Sequence, residues 1–244
     1  MVNGLYTASR GMINILARQD LTANNLANAN TTGFKISQLA TRVEVIHTRN
    51  DEKKLHQAEN QTLNEVYTRH AQGPLIETGH KLDLALSGPG FFSVETPDGQ
   101  AFTRNGTFSL NTDKQLITID GRRVLDDGGL PIAIEGDSVQ IQTDGGVFVD
   151  GHKQAKLGLK EFADVRKLIA NGDGLWSNTD KLNVARPAGD ATEIRQGFLE
   201  ASNVDTVGSM VAMIAYNRNY ESDQKVLQAI DSTLGRAVND VGKV

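Results

Sequence analysis

The sequence predicts an α+β, mainly β chain: a coiled-coil-like antiparallel pair of long N- and C-terminal helices with a compact all-β domain inserted between them. Three observations predict it. Apolar residues recur at three- and four-residue steps at both ends of the 244 residues. Between the ends lie short alternating segments separated by turn strings such as P-D-G, R-N-G and D-G-G. Each terminal stripe is also too thin and too polar to hide itself, so the two are expected to cover each other. Residues 1–35 and 200–244 would then form one discontinuous helical domain, 36–72 an extended linker or hairpin arm, and 73–199 a β-rich outer domain.

In the opening helix, Leu5, Ala8, Met12, Ile15, Gln19, Thr22 and Leu26 fall along one face. So narrow a stripe suits a helix–helix seam better than a monomer core. Past Leu26 the composition changes. Asn28, Asn30, Thr31 and Thr32 carry side chains that bond to backbone and compete with helix, and Asn24 and Asn25 join them in the exit from the helix. They are expected to lock the junction through backbone groups left open at the helix end. Gly33 permits a positive φ and a sharp change of direction, and Phe34 is expected to plug into an apolar site beyond it.

From residue 36 the pattern loosens. V-E-V-I-H-T and L-N-E-V-Y-T-R-H read as short strands on either side of a charged, exposed excursion over residues 49–60. After Gly73 and Pro74 the chain turns recognisably β. K-L-D-L-A-L places Leu82, Leu84 and Leu86 on one side of a strand, and Phe91 and Phe92 follow as core beneath a tight turn. Asn105-Gly106 and Asp120-Gly121 suit reversals. Later strands are expected at S-V-Q-I-Q, G-V-F-V-D and A-K-L-G-L-K-E-F, with a weak one near Leu182 to Val184. Short strands with few helical intervals favour antiparallel pairing.

The last helix is expected to open near Asn203 as N-cap, with Asp205 as the alternative, later start. Its seam runs through Met210, Met213, Asn217, Tyr220, Gln224, Leu227, Asp231, Leu234 and Val238. Gln19, Asn217 and Gln224 should face other helices, where a buried amide must find a partner and so fixes register. Gly208 and Gly235 each cost about 1 kcal/mol in a helix interior, so close packing or fraying is expected there.

Most chemistry is excluded. A net charge of −5 without a basic stripe argues against nucleic acid. There is no cysteine, hence no disulfide or thiolate site. His47, His56, His70, His80 and His152 lack a second histidine three or four residues away, and are expected as polar surface residues. Asp126 with Asp127, and Asn171 with Asp173, are turn formers with no calcium loop around them. No nucleophile elbow, P-loop or dinucleotide fingerprint occurs. The expectation is no enzyme: no catalytic residue, no cofactor, no metal. No apolar run is long enough to span a bilayer and no secretory leader is apparent, so composition alone points to the cytosol.

Four ordered blocks carry a family resemblance: residues 23–35 (A-N-N-L-A-N-A-N-T-T-G-F-K), 73–92 (G-P-L-I-E-T-G-H-K-L-D-L-A-L-S-G-P-G-F-F), 102–110 (F-T-R-N-G-T-F-S-L), and 196–204 (Q-G-F-L-E-A-S-N-V), the last followed by M-V-A-M-I-A-Y-N-R-N-Y-E. They resemble the bacterial flagellar basal-body rod proteins, a group that includes the hook protein. Length and the short stretch after the helix exit look most like the proximal rod protein with a β domain. The alternatives are a distal rod or hook-like axial subunit or, from another class, a β-type binding or adhesion module. The resemblance implies a subunit of the drive shaft that self-assembles helically and transmits torque from motor to hook. Implied partners are other copies of itself, adjacent flagellar rod proteins and the flagellar type III export apparatus, with no nucleic acid and no transmembrane segment. Its implied place is the basal-body rod across the periplasm, reached without a cleaved signal, which overrides the cytosolic expectation. The residues expected to serve assembly and the junction are Leu5, Met12, Ile15, Gln19, Asn24, Asn25, Leu26, Asn28, Asn30, Thr31, Thr32, Gly33, Phe34, Asn203, Met210, Met213, Asn217, Tyr220, Gln224, Leu227 and Leu234.

Overall fold

The computed structural model describes residues 2–45, 60–136, 138–189 and 191–241. The expected charged excursion lies outside them, apart from Asn60. These residues form two compact units. The first draws on Met1–Ala27, Ser37–Thr68 and Asp205–Val244, the second on Asn28–Ile36 and Arg69–Val204.

In the first unit, helix α1 (Val2–Ala27) packs against helix α2 (Thr206–Val241). Gln19 Nε2 donates to Asn217 Oδ1 at 3.0 Å, while a Cβ placed on Gly11 would lie 3.4 Å from Asp223 Oδ2. Moving down α1 moves up α2, so the pair is antiparallel. Strands β1 (Ser37–Val45) and β2 (Asn60–Thr68) complete the unit, pairing antiparallel from Ser37↔Thr68 to Val45↔Asn60.

The expected seam needs correction. Met210, Gln224 and Asp231 are exposed, and so is Asn217, although its amide meets Gln19. The less exposed face of α2 runs through Ser209, Met213, Tyr216, Tyr220, Asp223, Leu227, Ile230 and Leu234, one position away from Met210, Asn217, Gln224 and Asp231. Among the described residues only α1 lies against α2 as a helix, so a single narrow face is covered. Asn203 is not the N-cap. Asp205 is: its Oδ1 accepts from Gly208 N at 3.0 Å, satisfying a donor the helix leaves open.

The second unit is the β body. Its largest sheet has six strands in the order Ile169–Gly172, Leu175–Ser177, Gly99–Thr103, Phe91–Thr96, Leu159–Glu161, Arg186–Pro187. A three-stranded sheet and three two-stranded ones accompany it in this unit, and every pairing between described strands is antiparallel. Consecutive side chains of a strand point to opposite faces, and here both faces are covered. Phe92 enters a large cluster with Leu84, Leu86, Leu116, Ile132 and Ile194. Phe91 enters a second one with Phe102, Phe162, Leu168 and Trp176. The one-sided strand expected at Leu82 to Leu86 is likewise buried on both sides, Ala85 included.

The weak strand expected near Leu182 does not form. Leu182 is 89% exposed, and Asp180 turns the chain there by accepting from Leu182 N. Pairing resumes at Arg186–Pro187, on the sheet edge, where proline's missing donor costs no ladder bond.

Candidate functional site

The exit from α1 is built around Gly33. Thr31 N donates to Asn28 O, and Phe34 N to Thr31 O, forming a compact turn. Gly33 has φ 70°. Its N–H donates to Glu200 O at 2.7 Å, and any Cβ would lie 2.5 Å from Asn105 N and 2.6 Å from the Arg104 carbonyl carbon. Glycine is required twice over, once for the backbone angle and once for the space.

Beyond it, two side chains hold three chain segments together. Glu200 is fully buried. Its Oε1 accepts from Lys35 Nζ and from Gly73 N, the latter at 2.8 Å, and its Oε2 faces Arg104 Nη1 at 3.4 Å. Lys35 Nζ also donates to Ala71 O at 3.0 Å, and Arg104 Nη2 to Gly88 O at 2.7 Å. Asn203 does the rest. Its Oδ1 accepts from Ile36 N at 2.8 Å, and its Nδ2 donates to Arg69 O at 2.9 Å and Ala71 O at 2.8 Å. Residues 33–36, 69–73 and 200–203 are thereby tied into one knot.

The knot buries two cations with one anion. Burial pushes the Lys35 ammonium below its ordinary pKa; Glu200 opposes the shift and Arg104 adds to it. Arg104 is lowered by burial as well, against the pull of Glu200. Its guanidinium carbon lies 5.0 Å from the Phe91 ring centroid, a cation–π contact. His70 closes the group. Its ring stands edge-on to Phe91 and Trp176, and both ring nitrogens are buried. The expectation of a polar surface histidine is corrected here: the ring packs against Phe91 and Trp176, between two residues whose carbonyls Asn203 holds.

The residues expected from sequence divide between the two units. Asn25 is buried and pairs with Ser37 as a backbone would: Nδ2 donates to Ser37 O at 2.8 Å and Oδ1 accepts from Ser37 N at 2.9 Å. Its bonds thus reach β1, not the open groups at the helix end. Thr31 Oγ1 donates to Asn28 Oδ1. Asn24 and Asn30 are exposed, Thr32 and Phe34 half-buried, and Phe34 belongs to neither core cluster. Met12, Ile15, Gln19 and Leu26 lie half-covered along α1. Leu5 lies in α1, with its side chain outside the description.

Sequence reasoning missed Glu200, Arg104, Lys35 and His70. One signal was available: Lys35 and Glu200 each follow a large apolar residue, Phe34 and Leu199, inside blocks that otherwise read as ordered. That opposite charges so placed would meet is not written in either segment.

Comparison with known proteins adds the family. Residues 5–35 match the family described as flagella basal body rod protein, and residues 195–240 the flagellar basal body rod FlgEFG protein C-terminal region. Residues 85–149 match the flagellar hook protein FlgE/F/G D1 domain. The chain is 35% identical to the flagellar basal-body rod protein FlgF of Caulobacter vibrioides, over the whole of both. The chain belongs to the flagellar basal-body rod protein family. Other members include the flagellar hook-basal body complex protein FlhO of Bacillus subtilis, 31% identical over the whole of both chains. FlgG of the same organism is 32% identical over 98% of this chain and 99% of the relative. As a flagellar rod-family protein the chain is a structural, axial subunit of the basal body and not an enzyme. Lys35, Arg104 and Glu200 fall one in each of the three matched regions.

Proposed function

We propose that this chain is a proximal, FlgF-type rod subunit that assembles helically with its own copies and with adjacent rod proteins, and that carries torque from motor to hook. One observation carries the mechanical part. The chain passes between its two units at 27/28, 36/37, 68/69 and 204/205. Within the second unit, Lys35, Glu200, Arg104 and Asn203 grip it within a few residues of 36/37, 68/69 and 204/205, and past 27/28 the first hold is Gly33 N on Glu200 O. A load arriving along any of these segments is shared by the others through buried, charge-assisted bonds. The proximal position is supported by the short stretch between helix exit and β body. It is also supported by an alignment with the Caulobacter FlgF that spans only 246 positions, against 263 for the Bacillus FlgG.

The exposed apolar residues Ile13, Leu16, Val207, Val211 and Ile214 supply surface for neighbouring subunits. A contact that joins unlike patches and does not close builds a helical array. Export through the flagellar type III apparatus into the periplasmic rod completes the proposal, on the strength of the family resemblance. Gly33→Val tests it in cells lacking the wild-type copy. The expected outcome is lost motility with little subunit in purified basal bodies. Wild-type swimming by that variant and by Glu200→Gln would discard the knot as a load path. Photo-crosslinkers at Ile13 and Val211 test the position: products with hook subunits alone would discard the proximal assignment.

A further inference from the structure

His70 is the one titratable member of the knot that bonds to none of the others. Its ring packs 5.6 Å from Phe91 and 5.4 Å from Trp176, centroid to centroid. Neither ring nitrogen has a partner, nor does the buried Trp176 Nε1 beside it. The charged groups that act on it are both cations, Lys35 and Arg104. The one acid of the cluster, Glu200, is already engaged with both. On the strand carrying Phe91, the acid Glu95 is paired with Arg123. A neutral imidazole suits this box as one more aromatic ring. An imidazolium there has two N–H donors without acceptors and two like charges for neighbours.

The residues on either side make the ring's position matter. Arg69 O and Ala71 O both accept from Asn203, and Ala71 O also from Lys35. The ring's seat and these backbone bonds are therefore built from the same three consecutive residues, Arg69 to Ala71.

We propose that His70 is a proton-operated latch: when solvent protonates the ring it leaves the Phe91–Trp176 box, and residues 69–73 part from Asn203 and Glu200. The step is one proton transfer: a hydronium O–H bond breaks as the ring N–H bond forms, and water is left. Burial, and then the charges of Lys35 and Arg104, hold the ring's pKa down to about 4. The latch is therefore closed near neutrality and opens as pH falls toward that value. The inference goes beyond the rod function and does not depend on it.

Amide hydrogen exchange on the full chain tests this, after correction for intrinsic rates, at the amides of Ile36, Arg69 and Gly73. In wild type their protection should fall about fiftyfold between pH 7 and pH 4.5. In His70→Phe, which keeps the aromatic box and removes the proton site, protection should change no more than about twofold. Equal loss in both proteins would overturn the proposal and assign the opening to Glu200. No loss in wild type would overturn it too. If His70→Phe does not fold, the ring's own NMR titration in wild type decides. Titration near 6.5 with the three amides undisturbed refutes the latch, and a depressed midpoint shared with the amides supports it.

Discussion

At the scale of single residues, Gly33 and Gly121 make a natural contrast. Both have positive φ, 70° and 80°, but a Cβ at Gly33 meets backbone while one at Gly121 meets nothing within 4 Å. Gly121→Ala should cost about 1–2 kcal/mol, the left-handed penalty alone. Gly33→Ala should cost clearly more, because backbone at 2.5 Å cannot yield as a side chain can. Urea unfolding midpoints compare them; equal losses would show that the close approach carries no energy. The buried charges make a second contrast. Glu200→Ala strands two buried cations, at about 3–5 kcal/mol. Lys35→Met leaves Arg104 paired with Glu200 in an apolar setting, and should cost less. A larger loss for Lys35→Met would mean that the lysine, not the carboxylate, organises the knot.

The third residue-level prediction is a pH dependence. The His70 pKa is lowered in the folded chain, so above about 6.5 both states hold it neutral and stability is unaffected. Below that the unfolded chain takes up the proton and the folded one does not, until pH falls to about 4. Stability should therefore drop with falling pH across this window, by about 2 kcal/mol at pH 5. His70→Phe should remove that slope from a series of urea titrations. An unchanged slope would place the acid sensitivity elsewhere.

At the scale of elements, α1 and α2 cover one narrow face each. Gln19 and Asn217 bond across it although Asn217 is exposed, so water competes and the pair sets register more than stability. A double-mutant cycle with alanine at both positions should give a coupling of about 0.5 kcal/mol; a value above about 1.5 kcal/mol would show a drier seam than the structure has. Because α2 leaves Val207, Met210, Val211, Ile214 and Val226 exposed, the helix pair buries little in return for the backbone entropy it loses. In the isolated subunit its amides should exchange far faster than those of the strands around Phe91 and Phe92. Protection equal to that of the β body would show a helix pair stable before any neighbour arrives.

For the whole molecule, local pattern determined the two long helices, the antiparallel β body, the turn at Gly33 and the core role of Phe91 and Phe92. Each of these rests on periodicity or on a backbone angle, properties that a short window of residues carries by itself. The register of the helix pair was legible in part: Gln19 and Asn217 met as their chemistry required, while Met210 and Gln224 fell one position off the covered face. A three- and four-residue repeat tolerates that shift, and only packing against α1 resolves it. Asn203 shows the limit from the other side. Its position before an apolar run suits a helix cap, yet its amide was drawn to Ile36, Arg69 and Ala71, three groups more than a hundred residues away in sequence. The ion cluster belonged to tertiary structure altogether. Lys35, Arg104 and Glu200 are separated by 69 and 96 positions of chain, and no spacing rule links such distant charges. What brings them together is the burial of Glu200 beside Gly33 and Gly73, where a carboxylate removed from water must find cations or not fold there at all.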